Sequence, residues 1–388
     1  MGIRAMKKHY NIPIFITHAG CKNECVFCNQ KIITGQPKGC GEKEIRDTIE
    51  KFICRGEHCS PAKMYPIPTG EQCSPLQFYP TTEIAFFGGS FTGLEKTRMI
   101  NFLKIANEYI SACGRCGELQ DSTGVYANSR DAEDSVPYNK ITGIRLSTRP
   151  DYISKEVIDI LLKYNVTAVE LGVQSMFDDV LAVCKRGCTA EDIEKACVLI
   201  KSAGLNLTGQ IMPGLPCSDY DKDIQTAEKL VNLGIDAARI YPAVILPGTE
   251  LYNMHKRGEY TPLSLDEAVL RTKEIKKIFD VNGIKILRMG LCSSDNMNTN
   301  DCIGPYHPAF GELVESEIMY DRLVEEICRG APQNHPAAAA APLRGGELEI
   351  RVNPEYMSKV IGHKRKNIER LRERFPGKNI KIIKTTES

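Results

Sequence analysis

Three cysteines crowd one short stretch of the chain, CKNECVFCNQ at residues 21–30, where Cys21, Cys25 and Cys28 are spaced C-x3-C-x2-C and no further cysteine follows until Cys40. Thiolates are nucleophiles and ligands for soft metals, so a group of three points first to metal chemistry. Disulfides use cysteines in pairs, and a structural zinc site takes four protein ligands. His18, three residues before Cys21, can complete a zinc set. Iron–sulfur clusters are also held by Cys thiolates, normally four for a four-iron cluster. Three thiolates then leave one iron without a protein ligand, open to a small molecule.

Other residues suit a ligand near that loop. In FFGGS (86–90), Gly88 and Gly89 let the backbone approach a ligand closely and leave carbonyls free to accept from an ammonium group, with Ser90 beside them. Strand alternation adds a polar surface. In TGIRLSTRP, Ile144, Leu146 and Thr148 share one face, and Arg145, Ser147 and Arg149 share the other. In AVELGVQS, Val169, Leu171 and Val173 oppose Glu170, Gly172 and Gln174. Asn206, Thr208 and Gln210 fall together, as do Arg239 and Tyr241. If the apolar faces pack on helices, the polar faces line a lumen, which is costly unless it holds water and a charged ligand. The reading adopted is a ligand-filled lumen; an open sheet whose polar groups satisfy one another is the alternative.

The elements that must position these groups are legible as alternating strands and helices. Six apolar runs read as buried strands: IPIFIT, EIAFFGG, TGIRLSTRP, AVELGVQS, LNLTGQIMPG and AARIYPAVIL. Helix signals lie between them, one starting on Ser154, one running from Thr189 to Gly204 and one from Ser218 to Gly234. This order predicts an α/β fold with a parallel sheet, a partial (β/α)6 TIM-type barrel over residues 1–300, with chemistry at the C-terminal strand ends. Residues 54–80 and 112–140, rich in Pro, Gly and polar residues, read as loop insertions. Cys54, Cys59 and Cys73 in the first and Cys113 and Cys116 in the second allow a further metal site if the loops meet. Residues 301–328 read as a helical extension that closes the barrel bottom or lines its mouth, and 329–346, with HPAAAAAPLRGG, as a flexible linker.

A small α+β module, 347–388, reads as strand, helix, turn, helix, strand. Residues 351–388 hold eleven Lys/Arg against four Asp/Glu, on a chain whose formal net charge is +1. A basic appendage on an acidic body is the electrostatic footprint of a nucleic-acid module. The remaining composition excludes classes. Sixteen cysteines among 388 residues, with no signal-type apolar core at the N-terminus and no apolar run long enough for a bilayer, predict a cytoplasmic protein without membrane contact rather than a disulfide scaffold.

The cysteine spacing, with aromatic Phe27 just before the last cysteine, resembles the radical S-adenosylmethionine (SAM) superfamily. That resemblance implies a 4Fe–4S cluster on Cys21, Cys25 and Cys28, with SAM chelated at the open iron and cleaved to a 5′-deoxyadenosyl radical. An electron donor such as ferredoxin or flavodoxin is implied as a partner. STRPDYI (147–153), LGVQSMFDDVL (171–181), KRGCT (185–189), IMPGLP (211–216) and YPAVILPGTELY (241–252) are similar to the catalytic subunit of elongator, which modifies the wobble uridine of tRNA. By that likeness Gln174, Arg186 and the strand of Ser147 lie around SAM; the superfamily resemblance adds Phe27 and sets Gly88 and Gly89, with Ser90, at the methionine end, while the polar strand faces offer Arg145, Arg149, Glu170, Gln210, Arg239 and Tyr241 to the substrate. Three departures stand out: fewer residues between the first two cysteines, Ser147 where elongator subunits have Glu, and no room for an acetyltransferase domain. A fainter resemblance, to oxygen-independent coproporphyrinogen oxidases, would make the substrate a small molecule; a non-catalytic iron–sulfur RNA-binding protein is the third alternative. VIGHKRKNI (360–368) resembles the KH-domain G-x-x-G loop, which implies RNA contact through Gly362, Lys364, Arg365 and Lys366, although Arg365 stands where the second glycine belongs.

Overall fold

The computed structural model describes residues 9–17, 19–21, 25–29, 33, 40–54, 81–115, 141–291, 301–329, 338–342 and 347–385. Seven parallel strands form one curled sheet in chain order: β1 (His9–Phe15), β2 (Thr81–Phe87), β3 (Ile141–Thr148), β4 (Val166–Gln174), β5 (Asn206–Ile211), β6 (Ala237–Ile240) and β7 (Lys285–Met289). Parallel neighbours need crossovers, and helices supply them: α1 (Glu42–Cys54), α2 (Lys96–Arg115), α3 (Lys155–Lys163), the short α4 (Asp178–Val183) and α5 (Ala190–Ser202), α6 (Tyr220–Asn232), and α7 (Glu250–Lys256) with α8 (Leu265–Val281). The six strands expected from the sequence are all present. The seventh, KILRM, has only a short apolar pattern and lies outside that expectation.

Helix starts follow side-chain capping, worth about 1 kcal/mol each. The Ser154 hydroxyl accepts from the Val157 amide, and Thr189 with Asp192 and Ser264 with Glu267 close reciprocal capping boxes. The cap of α6 is Asp219 rather than Ser218, because the Ser218 hydroxyl donates instead to the buried Asp223 carboxylate. One core unites the outer faces of the strands with the helices. Ile12, Ile14, Ile84, Phe86, Ile144, Leu146, Val169, Leu171, Leu207 and Ile240 all belong to it, as the alternation requires. Of the expected insertions, Cys54 ends α1 and residues 112–115 continue α2 as helix; the remainder, with Cys59, Cys73 and Cys116, lies outside the described residues.

Beyond the barrel the structure adds detail to two stretches. The 301–328 extension is the long helix α9 (Phe310–Arg329), and it serves two cores. Phe310, Val314 and Ile318 pack on Ala268 and Val269 of α8, whereas Met319, Tyr320 and Leu323 enter the core of the tail. The expected linker contains strand β8 (Ala338–Pro342), which pairs antiparallel with β9 (Glu347–Val352) because its backbone groups complete that strand's second edge. The rest of the tail follows the sequence reading: α10 (Met357–Ile361), α11 (Lys366–Arg374) and β10 (Asn379–Lys384), the last parallel to β9. Buried Asn367 ties the module to α9, its amide donating to the Ser316 carbonyl and hydroxyl and to the Lys359 carbonyl.

Candidate functional site

The cysteine loop leaves the C-terminal end of β1 and is locked to the turn after β2. The Ile16 amide donates to Phe87 O at 2.8 Å, Ala19 to Ile16 O at 2.8 Å and Ser90 to Ala19 O at 3.0 Å. Two glycines make this approach possible. A Cβ on Gly89 would lie 2.7 Å from Ala19 O, and one on Gly20, where φ is +75°, would collide with Ser90 O. Cys21 therefore emerges directly against the Gly88–Ser90 turn. The far side of the loop is pinned by Val26, whose amide donates to Cys184 O at 3.2 Å and whose carbonyl accepts from Leu251 N at 2.7 Å. Phe27 packs on the apolar cluster around Val26, Val180 and Leu251, and Asn29 donates to Pro247 O at 3.2 Å.

Cys25 is buried, and Cys21 and Cys28 are half-buried. Two guanidiniums point at the Cys25 sulfur: Arg149 Nη1 at 3.5 Å and Arg186 Nη1 at 3.3 Å. Both side chains are held from behind, Arg149 by the Asp151 carboxylate and Arg186 by the Gly172 carbonyl. Burial would pull the Arg149 pKa down, but hydrogen bonds and charge from Asp151 outweigh it and hold the group firmly protonated. The neighbouring Cys184 thiol behaves oppositely: burial, reinforced by Cys25, pushes it up to about 12.

Below this rim the concave face of the sheet is polar, and its charges meet one another. Arg145 Nε donates to Glu83 Oε2 at 3.1 Å, and the other Glu83 oxygen accepts from the Thr167 hydroxyl. Arg239 Nε donates to Glu170 Oε2 at 2.8 Å and its Nη1 to the Tyr241 hydroxyl at 3.1 Å, with Phe87's ring 5.8 Å from the guanidinium. Burial is the largest influence on Arg239 and opposes its charge, yet Glu170 and Tyr241 raise its pKa above the ordinary value. Burial likewise raises Tyr241, against the pull of Arg239. Gln174 sits higher, at a register shift in β4 with φ +70°, and receives a 3.4 Å contact from Gln210 Nε2. A non-glycine residue in that backbone region is uncommon and marks a constrained strand end.

Residues 75–231 match the model of the radical SAM superfamily, and residues 235–320 match that of the Radical_SAM C-terminal domain. The chain belongs to the radical SAM superfamily. Among curated relatives, it is 35% identical over 193 residues to the tRNA uridine(34) acetyltransferase of Methanocaldococcus jannaschii, covering 48% of this chain and 34% of that protein. It is 29% identical over 195 residues to Elongator complex protein 3 of Saccharomyces cerevisiae, covering 48% and 32%. The chain thus spans about a third of the length of these relatives. Among solved structures, the archaeal Methanocaldococcus infernus Elp3 with an N-terminal deletion shares the fold, with a TM-score of 0.56 at 18% identity over 97% of this chain and 94% of that one.

Radical SAM proteins bind a 4Fe–4S cluster and SAM, and the donor set of this radical SAM chain fits that group. Three thiols stand on one loop, soft ligands of the kind that hold iron–sulfur clusters, with two guanidiniums against the Cys25 sulfur. Among the described residues, no three His, Cys, Asp or Glu side chains converge on a single metal ion, whereas ligands of a four-iron cluster stand farther apart. His18 lies outside the described residues. Several contributors escaped the sequence reading. Glu83 shares the face of Ala85 and Phe87 in EIAFF, so parity alone could have placed it in the lumen. Asp151 was within the quoted STRPDYI, but nothing in the spacing shows that it grips Arg149.

The 304–316 stretch lies on the mouth side. Ile303 pairs with Ile245 after β6, and Cys302 and Tyr306 pack on Val244 and Leu246. It then reaches the tail, where the His307 and His363 rings meet edge-on at 5.4 Å. In the tail loop Gly362 has φ +76°, and Lys364 and Arg365 also adopt positive φ, so the turn forms without the second glycine. Lys366 is paired with Asp266 of α8 at 2.8 Å. Beside the loop lies a groove of about 370 Å³ with Ile361, Ile368 and Ile382 along its floor and Arg365, Arg372 and Lys384 along its rim. No helix among the described residues is long and apolar enough to cross a membrane.

Proposed function

We propose that this chain is a cytoplasmic radical SAM enzyme that modifies a uridine of tRNA. The observation that carries the reading is the interlocked rim: a three-thiol loop at the C-terminal end of β1, pressed against Gly88–Ser90, with two buried guanidiniums on Cys25. Cys21, Cys25 and Cys28 would hold the cluster, and with SAM on its open iron that group supplies one-electron radical chemistry when bound. Gly88, Gly89 and Ser90 would offer backbone groups to the methionine end of SAM, with Ser147, Gln174 and Arg186 bordering it and Phe27 buttressing the loop.

Gln210 and Tyr241 would form the substrate-facing wall. Arg145, Glu170 and Arg239 would shape the floor beneath it, through ion pairs that exclude water from the reacting end. The names of the curated relatives support tRNA as substrate, and the basic tail supports RNA independently. Its apolar groove floor suits unstacked bases, and its cationic rim, with Lys364 beside Gly362, suits phosphates. A ferredoxin- or flavodoxin-class protein would supply the electron.

The test is anaerobic incubation of reconstituted protein with SAM and dithionite, with and without purified tRNA. Expected are 5′-deoxyadenosine and a mass change in a tRNA uridine. A loaded cluster that yields no 5′-deoxyadenosine refutes the enzyme reading, and 5′-deoxyadenosine with unaltered tRNA refutes the substrate.

A further inference from the structure

We infer that Arg149, gripped by Asp151, is a positioning residue that fixes Cys25 and raises the reduction potential of the cluster bound through it. The inference rests on the cluster reading proposed above. Arg149 is 3% exposed and follows β3 at the C-terminal rim. Its guanidinium is held as a fork: Nε donates to Asp151 Oδ1 at 2.9 Å and Nη2 to Asp151 Oδ2 at 3.1 Å. Nη2 also donates to the Arg186 carbonyl, which leaves Nη1 directed at Cys25 Sγ, 3.5 Å away. Pro150 and the single helical turn Pro150–Tyr152 place Asp151 for this grip, and the Tyr152 ring lies 5.7 Å from the guanidinium carbon. A planar, permanently charged fork can bind a carboxylate with two donors and still present a third to sulfur; an ammonium group cannot reproduce that geometry.

The direction of the effect follows from charge. Reduction adds one electron, delivered by an external one-electron donor, and makes the cluster more negative. A fixed cation at a ligating sulfur favours that state, and hydrogen bonds to the sulfurs act in the same sense. Asp151 sits behind the cation and partly cancels it. Removing the cation and removing its counter-ion must therefore move the potential in opposite directions, which a merely structural role for the pair would not do.

The experiment is a redox titration of the reconstituted full chain, followed by electron paramagnetic resonance of the reduced cluster, with iron counted per chain. Arg149→Gln is expected to lower the midpoint, with a reduction equilibrium at least tenfold less favourable, about 59 mV for one electron. Asp151→Asn is expected to raise it by a smaller amount. Unchanged midpoints in both variants, or shifts of the same sign, overturn the inference while leaving the cluster reading intact. If Arg149→Gln does not fold, Asp151→Asn decides alone, since an unchanged or lowered midpoint refutes the role assigned to the cation. Wild-type protein that takes up no reducible cluster overturns this inference together with the reading beneath it.

Discussion

Removing Glu170 should be among the costlier single truncations in the lumen. The Glu170 side chain is 7% exposed and that of Arg239 17%, and they meet at 2.8 Å. Among the described residues, Glu170→Ala leaves the guanidinium with the Tyr241 hydroxyl and the Phe87 ring, neither of which carries a charge. Breaking a buried pair by deleting one partner costs about 3–5 kcal/mol, because the surviving charge stays desolvated. At roughly 2–4 °C per kcal/mol for a domain of comparable size, the melting temperature should fall by about 6–20 °C. The assay is thermal and urea unfolding followed by far-UV circular dichroism, since the chain has no tryptophan to report by fluorescence. The double variant Glu170→Leu with Arg239→Met removes both charges at similar volume and should recover most of the loss. A single variant that loses less than about 1 kcal/mol would mean the pair is hydrated, as exposed pairs are. A double variant no better than the sum of the singles would show that the two residues are not each other's partner.

Three further outcomes follow from other parts of the molecule. Gly89→Ala places a Cβ 2.7 Å from Ala19 O and 3.0 Å from Ile16 O, so the cysteine loop must shift; iron retained after reconstitution should drop severalfold for a stability loss of about 1–3 kcal/mol, and full iron content would contradict the interlock. Neutralising Lys364, Arg365 and Arg372 should weaken RNA binding and flatten its salt dependence by roughly 2 units of log–log slope, at about 0.7 per lost phosphate contact; an unchanged slope would remove the tail from the RNA path. Burial and then His363 hold the His307 imidazole below the ordinary histidine range, so the unfolded chain binds more protons as pH falls through that window and stability must decline there. Melting temperatures at pH 7.5 and 5.5 should diverge in the wild type and much less in His307→Asn, and equal divergence in both would refute the assignment.

The barrel was legible because its grammar is local. Alternation of period two put Ile144, Leu146, Val169 and Leu171 on one face, and the same residues form the observed core. Ser154 and Thr189 marked their helix starts, and the start of α6 fell one position later than expected, because Ser218 is diverted to Asp223. What escaped depends on contacts between segments distant in sequence. The polyalanine run of β8 has no strand signature of its own and pairs only because β9 offers an open edge. Helix α9 shows a continuous amphipathic pattern, and no period reveals that its first turns face α8 while its later ones face the tail sheet. The cysteine loop was legible as a cluster of ligands, but its lock on Gly89 and its two arginines arrive from residues far along the chain.

The lumen shows how far parity reaches. Alternation correctly gathered Arg145, Glu170, Gln174, Gln210, Arg239 and Tyr241 onto the concave face, and a polar lumen was expected to require a ligand. That requirement holds only for polar groups lacking protein partners. Glu83 answers Arg145 and Glu170 answers Arg239, so the charged level of the lumen is satisfied internally. The rim differs in kind. There Gln174 adopts a backbone conformation that side chains rarely take, two glycines bring backbones into contact, and two guanidiniums converge on a thiol. Strain, close approach and concentrated positive charge at one strand end have no packing purpose that ordinary residues could not serve more cheaply. On the reading proposed above, the chemistry sits at the rim, over a floor of closed ion pairs.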